Sequence, residues 1–168
     1  MSDEEIYAGI GMVIAHEISH AFDSEGSQFD KNGNMTNWWT DEDLASFQAR
    51  NEKLAAYYDN IHPWEGIELD GAGKTSEGGA DMAGMKTILR IASKKEGFDY
   101  DKFFRSFANV LMEKGTLEDQ FVVFADKHPA SYLRGNCTMQ QFDEFLKQYD
   151  IKKGDGMYLA PEDRVCVW

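Results

Sequence analysis

Basic residues are scarce in this chain, with 17 Lys and Arg set against 30 Asp and Glu, a formal net charge of −13 over 168 residues. Phosphate backbones are bound by clustered Lys and Arg, and no such cluster stands out, so nucleic acid is not an expected partner. An acidic field favours cationic substrates or metal ions, although solubility is its plainer use. Cysteine is nearly missing. Cys137 and Cys166 are the only two, too few for a disulfide framework, and neither has the CxxC partner of a thiolate metal site. A free or buried structural role is expected of both. No apolar run approaches the roughly 18 residues that cross a bilayer, so no membrane segment is expected in this chain. Its first residues, MSDEEIYAGIGMV, are acidic where a secretory leader is basic, and no targeting segment is expected from them.

What the chain does contain is a globular composition, 42% hydrophobic and 28% charged, long enough for one domain with a real core. The stretch from Tyr7 to Phe22 carries Ile10, Met12, Val13, Ile14, Ala15, Ile18 and Ala21, which predicts a mostly buried helix. Asn32-Gly33 marks a tight turn, so a small hairpin is expected between Ser27 and Asn37. Thr40, three residues before Asp43, is placed to cap a helix reaching about Tyr58. A second dense helix is expected from Ser76 or Glu77 to about Lys95. Another, capped by Asp99 or Asp101, should cover Phe103 to Gly115. The segment after His128 is broken by Pro129 and Gly135, and a last helix is expected from Thr138 to Tyr149. The class is mainly α with a few short strands or a hairpin.

The chemistry concentrates in His16-Glu17-Ile18-Ser19-His20, an H-E-x-x-H pattern inside a predicted helix. Residues i and i+4 share one helical face, so both imidazoles can reach one ion. Neutral imidazole nitrogen is a preferred zinc ligand at roughly 2.0–2.1 Å. Glu17 is rotated about 100° from His16, beside the metal's water rather than on the metal. A catalytic zinc keeps one position open and lowers the pKa of bound water towards ~7, and a neighbouring carboxylate can take that proton. Such a short pattern also arises by chance. On an apolar helix, however, buried histidine and glutamate are costly unless something satisfies them.

A third ligand must come from elsewhere, and Glu77 in Ser76-Glu77-Gly78-Gly79-Ala80-Asp81 is the best candidate. Asp81 lies one helical turn further on the same face. Gly78, Gly79 and Gly84 would let this helix approach another closely. The plainer reading makes Glu77 and Asp81 solvated acids of a first helical turn. Asp23, three residues after His20, can reach back to the imidazole, since metal-bound histidines usually donate their other N–H to a carboxylate. A simple turn aspartate at the helix end is the alternative, and both can hold at once.

These residues give the chain a resemblance to the neprilysin and endothelin-converting-enzyme family of zinc peptidases. His16 to Asp23 is similar to the family's zinc helix. Gly26, Phe29, Asp30, Gly33 and Asn34, followed by Trp38-Trp39-Thr40, resemble the segment that comes next. Ser76 to Asp81 is similar to the family's Glu-Asn-Ile-Ala-Asp element, with Gly78 and Gly79 in place of Asn and Ile. The resemblance extends from about Tyr7 to Trp168.

It implies a thermolysin-like zinc-peptidase catalytic half, residues 1–168 forming one C-terminal catalytic domain of a much longer family-type protein. It also implies Zn2+ held by His16, His20 and Glu77, with Glu17 as general base. Asp23 and Asp81 would support the ligands, and the family gives Asp81 a proton-donor role. His128 would stabilise the oxyanion, and Arg134 would hold a substrate carbonyl. His62 has no counterpart and is expected at the surface. The implied activity is endopeptidase action on oligopeptides.

Departures bear on that expectation. Relatives carry a large helical region ahead of the zinc helix that closes over the cleft and binds substrate backbone. Without it, a zinc- or peptide-binding fragment with no turnover is the rival reading, and self-association through uncovered apolar surface is expected. Cys166 lies one position past the family's cysteine site, where Val165 stands. That favours a bacterial-type relative without the family disulfides, and leans the compartment toward the cytoplasm, with secretion as the alternative. A calcium loop at Asp30-Lys31-Asn32-Gly33-Asn34 fits poorly, because Met35 takes the position of the required glycine and Asp41 that of the bidentate Glu.

Overall fold

A computed structural model describes residues 1–63 and 68–165 of the chain. Cys166 and Trp168, both used in the sequence reading, lie outside the described residues. Eight α-helices order the described part: α1 (Asp3–Ile6), α2 (Met12–Ser19), α3 (Asp41–Asp59), α4 (Thr75–Ala92), α5 (Tyr100–Val110), α6 (Leu117–Ala125), α7 (Ser131–Met139) and α8 (Asp143–Gln148). The expected mainly α class holds. No strand occurs among the described residues, and the hairpin is reduced to one antiparallel bridge between Phe29 and Met35. Gly33 turns it at φ 78°, as its Asn-Gly pair requires.

Local signals explain most of the element starts. Ser2 and Glu5 form a capping box at α1, the Thr40 hydroxyl accepts the Asp43 N–H at α3, and Asp99 does the same for Lys102 at α5. α6 was not expected. Thr116 and Asp119 build a reciprocal capping box there, so the signal existed in a short segment. α5 ends at Val110 rather than near Gly115. The single helix expected from Thr138 is instead two: α7 passes through Gly135 and stops at Met139, and a tight turn over Gln140–Phe142 precedes α8.

The predicted helix over Tyr7–Phe22 begins with a π-helical turn at Tyr7–Gly11, continues as α2 and ends in a 3-10 turn at His20–Phe22. It is less buried than expected. Ala8, Met12, Ala15 and His16 face inward, whereas Ile10, Val13, Ile14 and Ile18 are exposed. The inward set repeats at helical spacing, so one face of the rod is packed and the other lacks a partner among the described residues.

The inward face lies on α4, which is the centre of the fold. On one side α4 joins Met12, Ala15, Phe103, Phe107 and Phe145 through Met85, Ile88 and Leu89. On the other, its Met82 packs with Leu54 and Tyr58 of α3 and Leu133 of α7. Two glycines permit this. A Cβ on Gly84 would sit 3.1 Å from the His16 backbone nitrogen, and one on Gly78 would lie 2.5 Å from the Tyr58 hydroxyl. Close approach of α2 to α4 thus brings His16 level with the first turns of α4, where Glu77 and Asp81 stand.

Candidate active site

Helical spacing places His16 and His20 on one face of the zinc-helix candidate, with their Nε2 atoms 3.0 Å apart. Glu77 comes to meet them from α4, its Oε2 3.2 Å from His16 Nε2 and 3.6 Å from His20 Nε2. The edge of a tetrahedron with bonds of about 2.0–2.1 Å is about 3.3 Å long, so these three separations suit one zinc ion. The three donor atoms lie within 4.8 Å of one another.

Their hydrogen bonds make the same point. His16 Nδ1 faces Asp81 Oδ1 at 2.9 Å, and His20 Nδ1 faces Asp23 Oδ2 at 2.6 Å. With both Nδ1 atoms donating, each neutral ring leaves Nε2 bare. Two lone pairs and a carboxylate oxygen then converge on one point. Glu77 Oε2 is buried there without a hydrogen bond, a rare condition that a cation relieves. The residues present fit a metal.

Carboxylates anchor this set from behind. Asp23 is buried; its Oδ1 accepts the Glu25 and Gly26 N–H groups, and its Oδ2 accepts the Ser76 hydroxyl besides His20. Burial would raise its pKa, but those four donors hold it below the ordinary carboxylate range. Asp81, also buried, takes the Arg134 fork, Nε to Oδ2 at 2.8 Å and Nη2 to Oδ1 at 2.7 Å. Burial opposes its charge as well, yet Arg134 and His16 keep the carboxyl ionised, with its pKa lowered. Neither Glu77 nor Asp81 is the solvated first-turn acid of the plainer reading, and Asp23 is turn aspartate and histidine partner at once.

His128 arrives on the loop before α7. Its Nε2 is 3.1 Å from Glu77 Oε2, and its Nδ1 is 2.8 Å from Asp126 Oδ1. Glu17 is exposed, as a group meeting solvent and substrate should be, and not buried as the apolar helix suggested. It shares with His16, Asp81, His128 and Arg134 a cavity of about 380 Å³. Met12, Val13, Phe107, Val110 and Leu111 form the apolar side of that cavity. Five of the eight site candidates line this cavity, His20 and Glu77 adjoin it through their cluster with His16, and Asp23 stands behind His20. His62 is exposed, as expected. In the loop weighed for calcium, Asp30 spends its carboxylate on Asn32 and Asn34 of its own turn.

Sequence reasoning missed Ser76, Asp126 and Lys74. Ser76 had been read only as a possible helix start. Asp126, two positions before His128, was visible as an acid beside a histidine. Lys74 gave no signal, since lysine is ordinarily a surface residue.

Known proteins resemble this chain over nearly its whole length. The sequence model described as "Peptidase family M13" matches residues 1–165. The neutral endopeptidase of Lactococcus lactis subsp. lactis is 38% identical over 168 residues, covering 99% of this chain and 27% of that protein. Human neprilysin is 31% identical over 181 residues, covering 96% and 24%. Among solved structures, PepO from Lactobacillus rhamnosis superposes with a TM-score of 0.91 at 33% identity, over 98% of this chain and 26% of that one. The zinc metalloprotease Zmp1 of Mycobacterium tuberculosis, solved with an inhibitor, gives 0.89 at 27% identity, over 98% and 28%. The chain thus spans about a quarter of the length of these relatives.

Proposed function

Because the chain belongs to peptidase family M13, we propose that it is the zinc-binding catalytic domain of an endopeptidase that hydrolyses peptide bonds of oligopeptides. The observation that carries this reading is the convergence of His16 Nε2, His20 Nε2 and the unbonded Glu77 Oε2 at zinc-ligand separations. A zinc ion held by these three would supply a Lewis acid for the scissile carbonyl and bring the pKa of a water towards about 7.

The chain's own residues do the rest. The Glu17 carboxylate takes a proton from the attacking water and returns it to the leaving amine. His128, its Nδ1 held by Asp126, donates from Nε2 to the developing oxyanion. Asp81 acts differently from the family expectation. With Oδ1 taken by His16 and Arg134 and Oδ2 by Arg134, it orients both rather than giving up a proton. Arg134 keeps its remaining guanidinium donors for a substrate carbonyl. The apolar side of the cavity, from Met12 to Leu111, suits a large hydrophobic side chain next to the cleaved bond.

The uncovered apolar face of α2 favours a second reading, in which this chain binds zinc or peptide but does not turn over without the region that completes the cleft. Metal analysis and peptide cleavage by the 168-residue chain separate the two. One zinc per chain is expected, lost in Glu77→Ala and kept in Glu17→Gln, with the latter lowering cleavage by about 10²–10⁴. Stoichiometric zinc with no turnover, and no change in Glu17→Gln, supports the second reading. Full zinc affinity in Glu77→Ala would remove the third ligand and sink the assignment of the site.

A further inference from the structure

Lys74 stands immediately before α4 with only 2% of its surface exposed. A buried ammonium is costly unless its protons are used. Its Nζ donates to the Phe124 carbonyl at 2.9 Å and to the Asp126 carbonyl. Phe124 belongs to the last turn of α6, where carbonyls lack helical partners and a cation meets the negative end of the helix dipole. Asp126 follows at once and turns its carboxylate on His128, accepting the backbone N–H and Nδ1, each at 2.8 Å. The imidazole's far nitrogen then lies 3.1 Å from Glu77, three residues along from Lys74. The contacts close a circuit from Lys74 through Asp126, His128 and Glu77 back along α4.

We propose that Lys74 is a positioning residue for His128, fixing the turn from which Asp126 holds the imidazole with Nε2 directed at the Glu77 carboxylate. This rests on the reading of His128 as part of the catalytic cleft. A surface lysine could cap α6 with less desolvation, so capping alone does not account for the burial. Burial lowers the Lys74 pKa, consistent with an ammonium satisfied by carbonyls alone. Asp126 and Asp70 favour its charge from a distance.

Carbon-13 relaxation of the imidazole Cε1–H and Cδ2–H bonds in the zinc-free chain tests the proposal, because it reports how firmly each ring is held. Exposed His62 is the reference within the same spectrum. The His128 ring should be clearly more ordered than that of His62. In Lys74→Met that excess order should fall several-fold, and Lys74→Arg should restore most of it. If Lys74→Met does not fold, Lys74→Gln, which keeps a donor without the charge, is expected to fall between the two. Lys74→Met with a lowered Tm but an unchanged His128 ring order would reduce Lys74 to a helix cap and overturn the proposal. A wild-type His128 indistinguishable from His62 would overturn it too. Zinc stoichiometry and cleavage are measured separately, so a chain that locks His128 yet binds no zinc defeats the peptidase reading and leaves the lock standing.

Discussion

Asp81 and Arg134 form a bidentate ion pair, Nε to Oδ2 at 2.8 Å and Nη2 to Oδ1 at 2.7 Å, that joins α4 to α7 directly behind His16. Removing one partner strands the other. Asp81→Ala leaves a partly buried guanidinium and an imidazole N–H unsatisfied, and should cost about 3–5 kcal/mol in urea unfolding. Arg134→Met alone should cost about as much, since it leaves a carboxylate with only 5% of its side chain exposed. The double variant Asp81→Leu/Arg134→Met should cost clearly less than the sum of the two single changes. Additive losses would mean that the pair does not act as a unit.

That pair also marks how far sequence reasoning reached. His16 and His20 were legible because helical geometry makes an i, i+4 pair meaningful without knowledge of anything else in the fold. Glu77 and Asp81 needed a second helix to be brought against the first, and the glycines at 78 and 84 hinted at it. Arg134 lies 53 residues from Asp81, and no local rule joins them. His128 and Arg134 entered only through family resemblance. The exposure of Ile10, Ile14 and Ile18 was illegible for another reason: periodicity shows that a face is apolar but not what covers it. α6 and the α7–α8 division were missed because short helices are decided by caps and turns more than by hydrophobic period.

The glycines of α4 give a graded test of close packing. Gly84→Ala places a methyl 3.1 Å from the His16 nitrogen, and Gly78→Ala places one 2.5 Å from the Tyr58 hydroxyl. Each should destabilise by about 1–3 kcal/mol despite the better helix propensity of alanine. Zinc affinity should fall in Gly84→Ala, which displaces a ligand-bearing backbone. Gly135→Ala in α7 meets Leu111 and Met139 only at 3.6 and 3.9 Å. It should be neutral or stabilising by up to about 1 kcal/mol. Equal effects at all three positions would contradict the α2–α4 packing described above.

The outward face of α2 predicts association. Ile14 and Ile18 are 53% and 65% exposed, with Ile10 and Val13 beside them, a contiguous apolar patch of the kind that soluble monomers seldom leave uncovered. Sedimentation of the isolated chain should therefore rise with concentration. Ile14→Glu combined with Ile18→Glu should return it to a monomer without changing zinc content, because neither side chain touches the metal cluster. A wild-type chain that stays monomeric at high micromolar concentration would remove this face from account.

Cys137 lies in the core beside Leu54, Tyr58 and Leu133, with 3% of its surface exposed. Burial pushes its thiol from 9.0 up to about 11, against a smaller opposing effect from Tyr57. Thiolate is the reactive form. At pH 8 the shift leaves roughly a hundredfold less of it than an ordinary cysteine holds, about a tenfold change for each unit of pKa. Restricted access slows attack further. In a Cys166→Ser background, labelling by a thiol reagent at pH 8 should thus be negligible in the native chain and complete in urea. The native rate should grow about tenfold per pH unit until the chain unfolds or the pH nears 11. Rapid native labelling at neutral pH would mean that α7 opens readily. It would then be a poor platform for Arg134, which lies on the same helix three residues before the thiol.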